Sequence, residues 1–240
     1  MTELTTRLRD LHVPGDPLVL PNVWDAASAA IVEEAGFPAL ATASASISAM
    51  LGYEDHEGAP AEEMLAAAGR VIRAAHVPVT VDAEAGYGLA PAELAERLVA
   101  IGASGCNLED SRGGALVEAS AQADYLAAFR AAAPDLVVNA RVDTFITKAP
   151  DAVDAAIERG RRYFEAGADC VYPIMAPVDA VAVLAKELPG PINANGTDVR
   201  ELASLGVARV SFGPMPYLRA LDALKTFAVR LKNGQDPLAS

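Results

Sequence analysis

Short apolar runs of four or five residues alternate with amphipathic stretches of helical period about eight times along the chain. The runs are Leu18 to Pro21, Ala39 to Ala43, Val77 to Val81, Gly105 to Leu108, Leu136 to Ala140, Cys170 to Ile174, Pro191 to Ala194 and Arg209 to Phe212. Their length and regular spacing are those of buried parallel strands, each followed by a helix that returns the chain to the start of the next strand. Four phrases repeat the same event: EAGFPAL, AIGASGC, EAGADC and SLGVARV each end a helix at a glycine and drop into a strand. Pro91 is placed to open one helix and Gly102 to close it, while Thr197 followed by Glu201 begins another that stops at Gly206. Eight βα units predict an α/β chain folded as a (β/α)₈ TIM barrel. The competing architecture is an open doubly wound sheet, which would carry a Gly-rich first turn of the GxGxxG kind, and the chain has none.

A length of 240 residues matches one such barrel, so residues 1–240 are read as a single domain with a short N-terminal arm. No linker-like composition break interrupts them, and Ser44 to Pro60 is read as a long βα loop over the site. The chain is 52% hydrophobic, yet charge interrupts every apolar run before it reaches membrane-spanning length, and the N-terminus lacks a secretory core. These features predict a cytoplasmic protein with no membrane partner. A net charge of −13 argues against nucleic acid. Cys106 and Cys170 lie inside apolar runs without metal-ligand spacing, and are read as buried thiols.

Side chains two residues apart on a strand share a face. The strand ends carry polar pairs at that spacing: Asp82 with Glu84, Asn107 with Glu109, Asn139 with Arg141, and Asn193 with Asn195. All lie at C-terminal ends, the rim where such barrels do their chemistry. Three carboxylates beside one arginine would raise each other's pKa unless a cation intervenes. Oxygen donors without His or Cys select a hard divalent ion, Mg²⁺ ahead of Ca²⁺, with Mn²⁺ as a substitute. Arg141 offers a fork for a carboxylate or phosphoryl group, so the expected partner is a small anionic substrate.

The segments VDAEAGYG (Val81 to Gly88), NLEDS (Asn107 to Ser111), NARVDTF (Asn139 to Phe145) and LGYED (Leu51 to Asp55) resemble the isocitrate lyase/phosphoenolpyruvate mutase superfamily. The resemblance runs from about Pro21 to about Leu221. It implies a (β/α)₈ barrel, Mg²⁺, 2-oxo-acid or enolate substrates, and a homodimer or homotetramer assembled by helix exchange. It further implies that Asp82 binds the metal directly, that Glu84 and Asp55 hold metal-bound waters, and that Glu109 is another metal-site carboxylate. Arg141 would bind the substrate carboxylate and the developing enolate oxygen. Thr42, Ala43 and Ser44 would hold the substrate carboxylate through backbone N–H groups and a hydroxyl, with Asn195 and Pro214 lining the pocket.

The loop SRGGALVEASAQ departs from the superfamily's lyase pattern, which has a KKCGH-type cysteine there, and from its phosphonate-processing pattern, which has lysine and asparagine. Ile174 stands where lyase relatives have a glutamate. His56, beside Asp55, is read as a solvated loop residue ahead of a proton donor, and His12 and His76 as remote from the rim. Trp24 and Asp25 are read as a pocket wall and a helix cap, and Tyr87 either packs under the loop or reaches the site. The leading expectation is a Mg²⁺-dependent lyase that cleaves a C–C bond of a small 2-oxo or 2-hydroxy carboxylate through a metal-stabilised enolate, by retro-aldol reaction or decarboxylation. The alternatives are a mutase or hydrolase acting on the P–C bond of a phosphonopyruvate-type substrate, and a non-catalytic barrel that binds 2-oxo acids.

Overall fold

The computed structural model describes residues 2–238. In chain order the elements are α1 (Glu3–Asp10), β1 (Leu18–Leu20), β2 (Asn22–Val23), α2 (Ala26–Glu34), β3 (Leu40–Thr42), α3 (Ser44–Leu51), α4 (Ala61–Ala74) and β4 (Val79–Asp82). There follow α5 (Pro91–Ala100), β5 (Gly105–Glu109), β6 (Ser111–Arg112), β7 (Ala115–Leu116), α6 (Ala119–Ala132), β8 (Val137–Val142) and α7 (Ala152–Glu165). The chain continues through β9 (Cys170–Pro173), α8 (Val178–Glu187), β10 (Asn193–Asn195), α9 (Val199–Ser204), β11 (Arg209–Ser211) and α10 (Met215–Lys232).

All eight expected apolar runs contain strands, and these pair in parallel as two arcs, β2-β3-β4-β5-β8-β9 and β1-β11-β10. The arcs join into a barrel at two seams, both beside a proline. At the first, β1 and β2 are one stave interrupted at Pro21, which has no N–H to give to a ladder. Buried Asn22 stitches this seam: its Nδ2 donates to the Thr42 carbonyl at 2.8 Å, and its Oδ1 accepts from the Phe212 N–H at 3.0 Å. At the second, Val171 N–H donates to the Pro191 carbonyl at 3.0 Å and forms a parallel bridge with Ile192. The staves are buried on both faces, as parallel strands covered by helices must be.

The four repeated glycines, Gly36, Gly102, Gly167 and Gly206, all have positive φ, the left-handed conformation that ends a helix without a Cβ clash. Pro91 is the first residue of α5. Asp25 caps α2 in a reciprocal capping box with Ser28, as expected of a cap. Two expectations need correction. Ser44 to Pro60 is not all loop, because Ser44–Leu51 forms α3, whose apolar Ile47 packs with Ala59, Met64 and Ala67. Its sequence, SASISAML, has too little amphipathic contrast to announce a helix. The cap of α9 is Asp198, not Thr197: the Asp198 carboxylate accepts from Glu201 N–H at 3.0 Å. The arm α1 closes the floor of the barrel, where Leu8 packs with Leu18, Leu20, Ala41 and Val137. Among the described residues no helix is long and apolar enough to cross a membrane.

Candidate active site

Strand register decides which polar side chains meet. Asp82, Asn107 and Asn139 are level across β4, β5 and β8, and Glu109 is level with Arg141 two residues higher. Since alternate residues share a face, both levels point into the barrel mouth. At the lower level Asn139 Nδ2 donates to Asn107 Oδ1 at 2.8 Å, and at the upper Arg141 Nη1 pairs with Glu109 Oε2 at 2.6 Å.

Asp82 is held from the neighbouring strand end. Ser44 donates to its Oδ2 through both N–H and hydroxyl, at 3.0 and 2.9 Å, while the Asp82 N–H donates to Thr42 Oγ1 at 2.8 Å. The other carboxylate oxygen, Oδ1, is buried without a hydrogen-bond partner. An acceptor left unmet in this way lacks a cation or a donor. Glu84 lies two residues beyond β4 in left-handed backbone, φ 48°, and accepts the Glu57 N–H at 2.7 Å. Burial, with Asp82, Asp55 and Glu57 nearby, pushes its pKa up to about 7 against that hydrogen bond. Glu109 is pushed up to about 9 by burial, with Asp143, Asp82 and Glu84 adding repulsion that Arg141 does not offset. For Arg141 burial opposes the charge, but Glu109 and Asp143 outweigh it and raise its pKa. Ionised together, these carboxylates would carry more charge than Arg141 offsets, so the cluster gains from a cation.

The donor set fits a hard divalent ion held by few protein oxygens. Among the described residues no three Asp, Glu, His or Cys side chains converge closely enough to ligate one ion directly. Asp82 Oδ1 is the free oxygen, Glu84 and Glu109 each have one oxygen engaged, and Asp55 is half-buried close enough to act on the charge of Glu84. One direct carboxylate supplemented by water and substrate oxygens is a Mg²⁺-like arrangement.

A cavity of about 210 Å³ opens beside Arg141, lined among others by His56, Glu57, Glu109, Arg112 and Asp143. Asn195 and Pro214 do not line it. Asn195, at the end of β10, accepts the Met175 N–H at 3.0 Å, and Pro214 is exposed at the head of α10. His56 is exposed, with φ 63°. Tyr87 packs beneath the loop: its N–H donates to the Glu57 carboxylate and its hydroxyl to the Asp82 carbonyl at 3.4 Å. Trp24 stacks edge-on against Tyr217 of α10, centroids 5.1 Å apart, and so anchors that helix rather than walling this cavity. The half-buried Ile174 adds no carboxylate. Burial pushes both cysteine thiols up to about 12, which leaves them inert as nucleophiles.

The residues that sequence reasoning missed are Asp143 and Asp110. Asp143 holds Arg141 from two sides, accepting from Nε at 2.7 Å and Nη2 at 3.0 Å, and also accepts the Ser111 hydroxyl. Asp110 accepts the Asp143 N–H at 2.8 Å, Arg159 Nη1 at 2.9 Å and the Tyr163 hydroxyl at 2.7 Å, tying this strand end to α7. Asp143 continues the two-residue period of Asn139 and Arg141, and that was the available signal. The loop after β5 folds as a hairpin, with Gly113 and Gly114 at positive φ between β6 and β7.

The family model for phosphoenolpyruvate phosphomutase matches residues 8–232. An uncharacterized protein of Mycobacterium tuberculosis is 35% identical over 230 residues, 94% of this chain and 89% of its own length. The 2-methylisocitrate lyase of Bacillus subtilis is 31% identical, over 91% of this chain and 71% of its own. A Burkholderia cenocepacia structure provisionally assigned as a phosphonomutase superposes with a TM-score of 0.90 at 40% identity, covering 95% of this chain and 99% of that one. A structure of 2,3-dimethylmalate lyase superposes with a TM-score of 0.86 at 25% identity, covering 100% and 90%. With a matching family model over nearly its whole length and these relatives, the chain belongs to the phosphoenolpyruvate phosphomutase family, and is an enzyme of the isocitrate lyase/phosphoenolpyruvate mutase superfamily's carbon–carbon lyase group.

Proposed function

We propose that the chain is a Mg²⁺-dependent lyase that cleaves a C–C bond next to the carbonyl of a small 2-oxo or 2-hydroxy carboxylate through an enolate, with Mn²⁺ able to replace Mg²⁺. The observation that carries this reading is the buried, unpartnered Asp82 Oδ1 in an overcharged carboxylate cluster beside the clamped Arg141. Asp82 would hold the ion directly, with Glu84, Asp55 and Glu109 holding its waters. When bound, the ion supplies Lewis-acid charge where the enolate oxygen develops. Arg141, fixed by Asp143, has N–H groups left for the substrate carboxylate. Thr42, Ala43 and Ser44 would orient that carboxylate from the end of β3, beside Asp82, to which Ser44 donates. Asn195 and Pro214 would close the far side, and α10 would pack on a second copy to give a homodimer or homotetramer. Similarity to a 2-methylisocitrate lyase and a 2,3-dimethylmalate lyase supports C–C cleavage.

The test is an NMR assay with Mg²⁺ on oxaloacetate, 2-methylisocitrate and 2,3-dimethylmalate. At least one should turn over, and Asp82→Ala should lower that rate by roughly 10³-fold or more. Turnover of none, or full turnover by the variant, overturns the reading. Likeness to the structure assigned as a phosphonomutase carries the second reading, P–C chemistry on a phosphonopyruvate-type substrate. A ³¹P shift change on incubation with phosphonopyruvate would establish it instead.

A further inference from the structure

Arg209, the first residue of β11, is fully buried inside the barrel. Its Nη2 donates to Asn107 Oδ1 at 3.1 Å and its Nε to Ser211 Oγ at 3.4 Å. Asn139 donates to the same Asn107 oxygen at 2.8 Å, and Asn193 to the same Ser211 oxygen at 3.1 Å. A continuous polar chain therefore crosses the interior, linking β8 and β5 to β11 and β10. Every member is buried, and Arg209 alone is charged.

Among the described residues Arg209 forms no ion pair, and its Nη1 has no hydrogen-bond partner. A buried charge without a counter-charge is costly, and Val or Leu would fill a barrel floor without that cost. The partner that Arg209 reaches first, Asn107, is level with Asp82, and Glu109 stands two residues above it on β5. Burial lowers the Arg209 pKa, and Asp82 is the carboxylate whose charge works against that shift. The negative charge nearest in the fold is thus Asp82, at the base of the rim. Arg209 therefore adds one positive charge beneath a rim that carries Asp82, Glu84, Glu109, Asp143, Asp55 and Glu57 against Arg141 and Arg112.

We infer that Arg209 is a positioning residue of the rim: its charge, held beneath the rim by Asn107 and Ser211, loosens the grip of the carboxylates on a divalent cation and tightens the grip of the loaded site on an anionic substrate. This rests on the metal-dependent 2-oxo-acid reading above. The physical basis is direct. A positive charge beneath the site repels the cation and attracts the substrate, and the protein interior screens neither effect as water would. The cation therefore stays exchangeable, while the site keeps enough positive potential to draw a carboxylate against a chain of strongly negative net charge.

Opposite signs on two ligands give the test. Mn²⁺ binding is measured by electron paramagnetic resonance titration, and oxalate binding to the Mn²⁺-loaded protein by calorimetry, for wild type, R209Q, R209M and R209K. Glutamine and methionine remove the charge, the first with and the second without a polar group to satisfy, so either variant that folds suffices. Each should bind Mn²⁺ roughly tenfold more tightly and oxalate roughly tenfold more weakly, with R209K near wild type on both. A loosened barrel would weaken both ligands together, and that result, or no change in either, overturns the role of Arg209. Wild-type protein that binds no Mn²⁺ overturns the metal reading itself, and the inference with it.

Discussion

Arg141 shows how far the direction of a rim side chain is set by its neighbours. Read on the strand alone it is a cation at the rim, but its direction comes from Asp143, which takes two of its five N–H donors. Asp143 is in turn fixed by Ser111 and by the Asp110 carboxylate, which reaches α7 through Arg159 and Tyr163. This makes a charge-conserving variant informative. D143E keeps the negative charge and extends the side chain by one methylene, so the guanidinium is displaced while the electrostatics stay nearly constant. Oxalate affinity of the Mn²⁺-loaded protein should fall roughly tenfold, and turnover of whichever 2-oxo acid proves active by roughly 10²-fold. Unchanged oxalate affinity in calorimetry would show that Arg141 does not need Asp143. Asp82, Glu84, Glu109 and Arg141 were legible from their period-two spacing at strand ends. Asp110 and Arg209 were not, since an Asp after a strand also reads as a helix cap and nothing local shows which way an Arg at the head of a strand faces.

The arm α1 docks through Leu8 and the 2.9 Å Arg9–Asp169 pair, and buries one imidazole beside it. His12 follows α1, is buried, and places Nδ1 2.8 Å from the Leu8 carbonyl, with Nε2 lacking a partner. Burial first, then the charge of Arg209, lowers its pKa from 6.5 to about 4. The unfolded chain therefore binds a proton between those values that the folded chain refuses. Stability is full above pH 6.5, declines as pH falls from 6.5 toward 4, and the whole contribution is lost below about 4. For a shift of this size the loss amounts to roughly 3 kcal/mol at most. Urea unfolding at pH 7 and pH 4.5 should show this drop in wild type, and H12Q should show a smaller one. Equal pH dependence in the two proteins would remove His12 from the account. At this scale the sequence was readable wherever punctuation was strong, as at Pro91 and the four helix-ending glycines. The helix α3 escaped because SASISAML lacks polar contrast, and packing against α4 decides its conformation.

Across the whole molecule, α10 is the longest helix and the one that leaves most apolar surface exposed. It runs for 18 residues with none of them buried, and Leu218, Leu221, Leu224 and Phe227 are exposed apolar side chains on it. Its ties to the barrel include the Trp24 and Tyr217 stack. Spaced three apart, they wind round the helix and expose a broad apolar surface, which in water favours self-association. If α10 packs on a second copy, light scattering after size exclusion should give the mass of a dimer or tetramer, and L224E should shift it to that of a monomer. A monomeric wild type at micromolar concentration would refute this.

The sequence by itself determined the staves, most helix ends, the family and the acidic rim, because these rest on local period, local turn chemistry and side-chain type. Tertiary structure decided what depends on partners distant along the chain. It closed the barrel at two proline seams, one through Asn22 and one through Val171 with Pro191, aimed Arg141 through Asp143, and left Asp82 Oδ1 open by giving Oδ2 to Ser44. It also drew Arg209 across the interior to Asn107, residues 102 positions apart in sequence, which no local pattern can encode. Burial does the rest, since the same carboxylates in water would show none of the raised pKa values that make this rim a place for a cation.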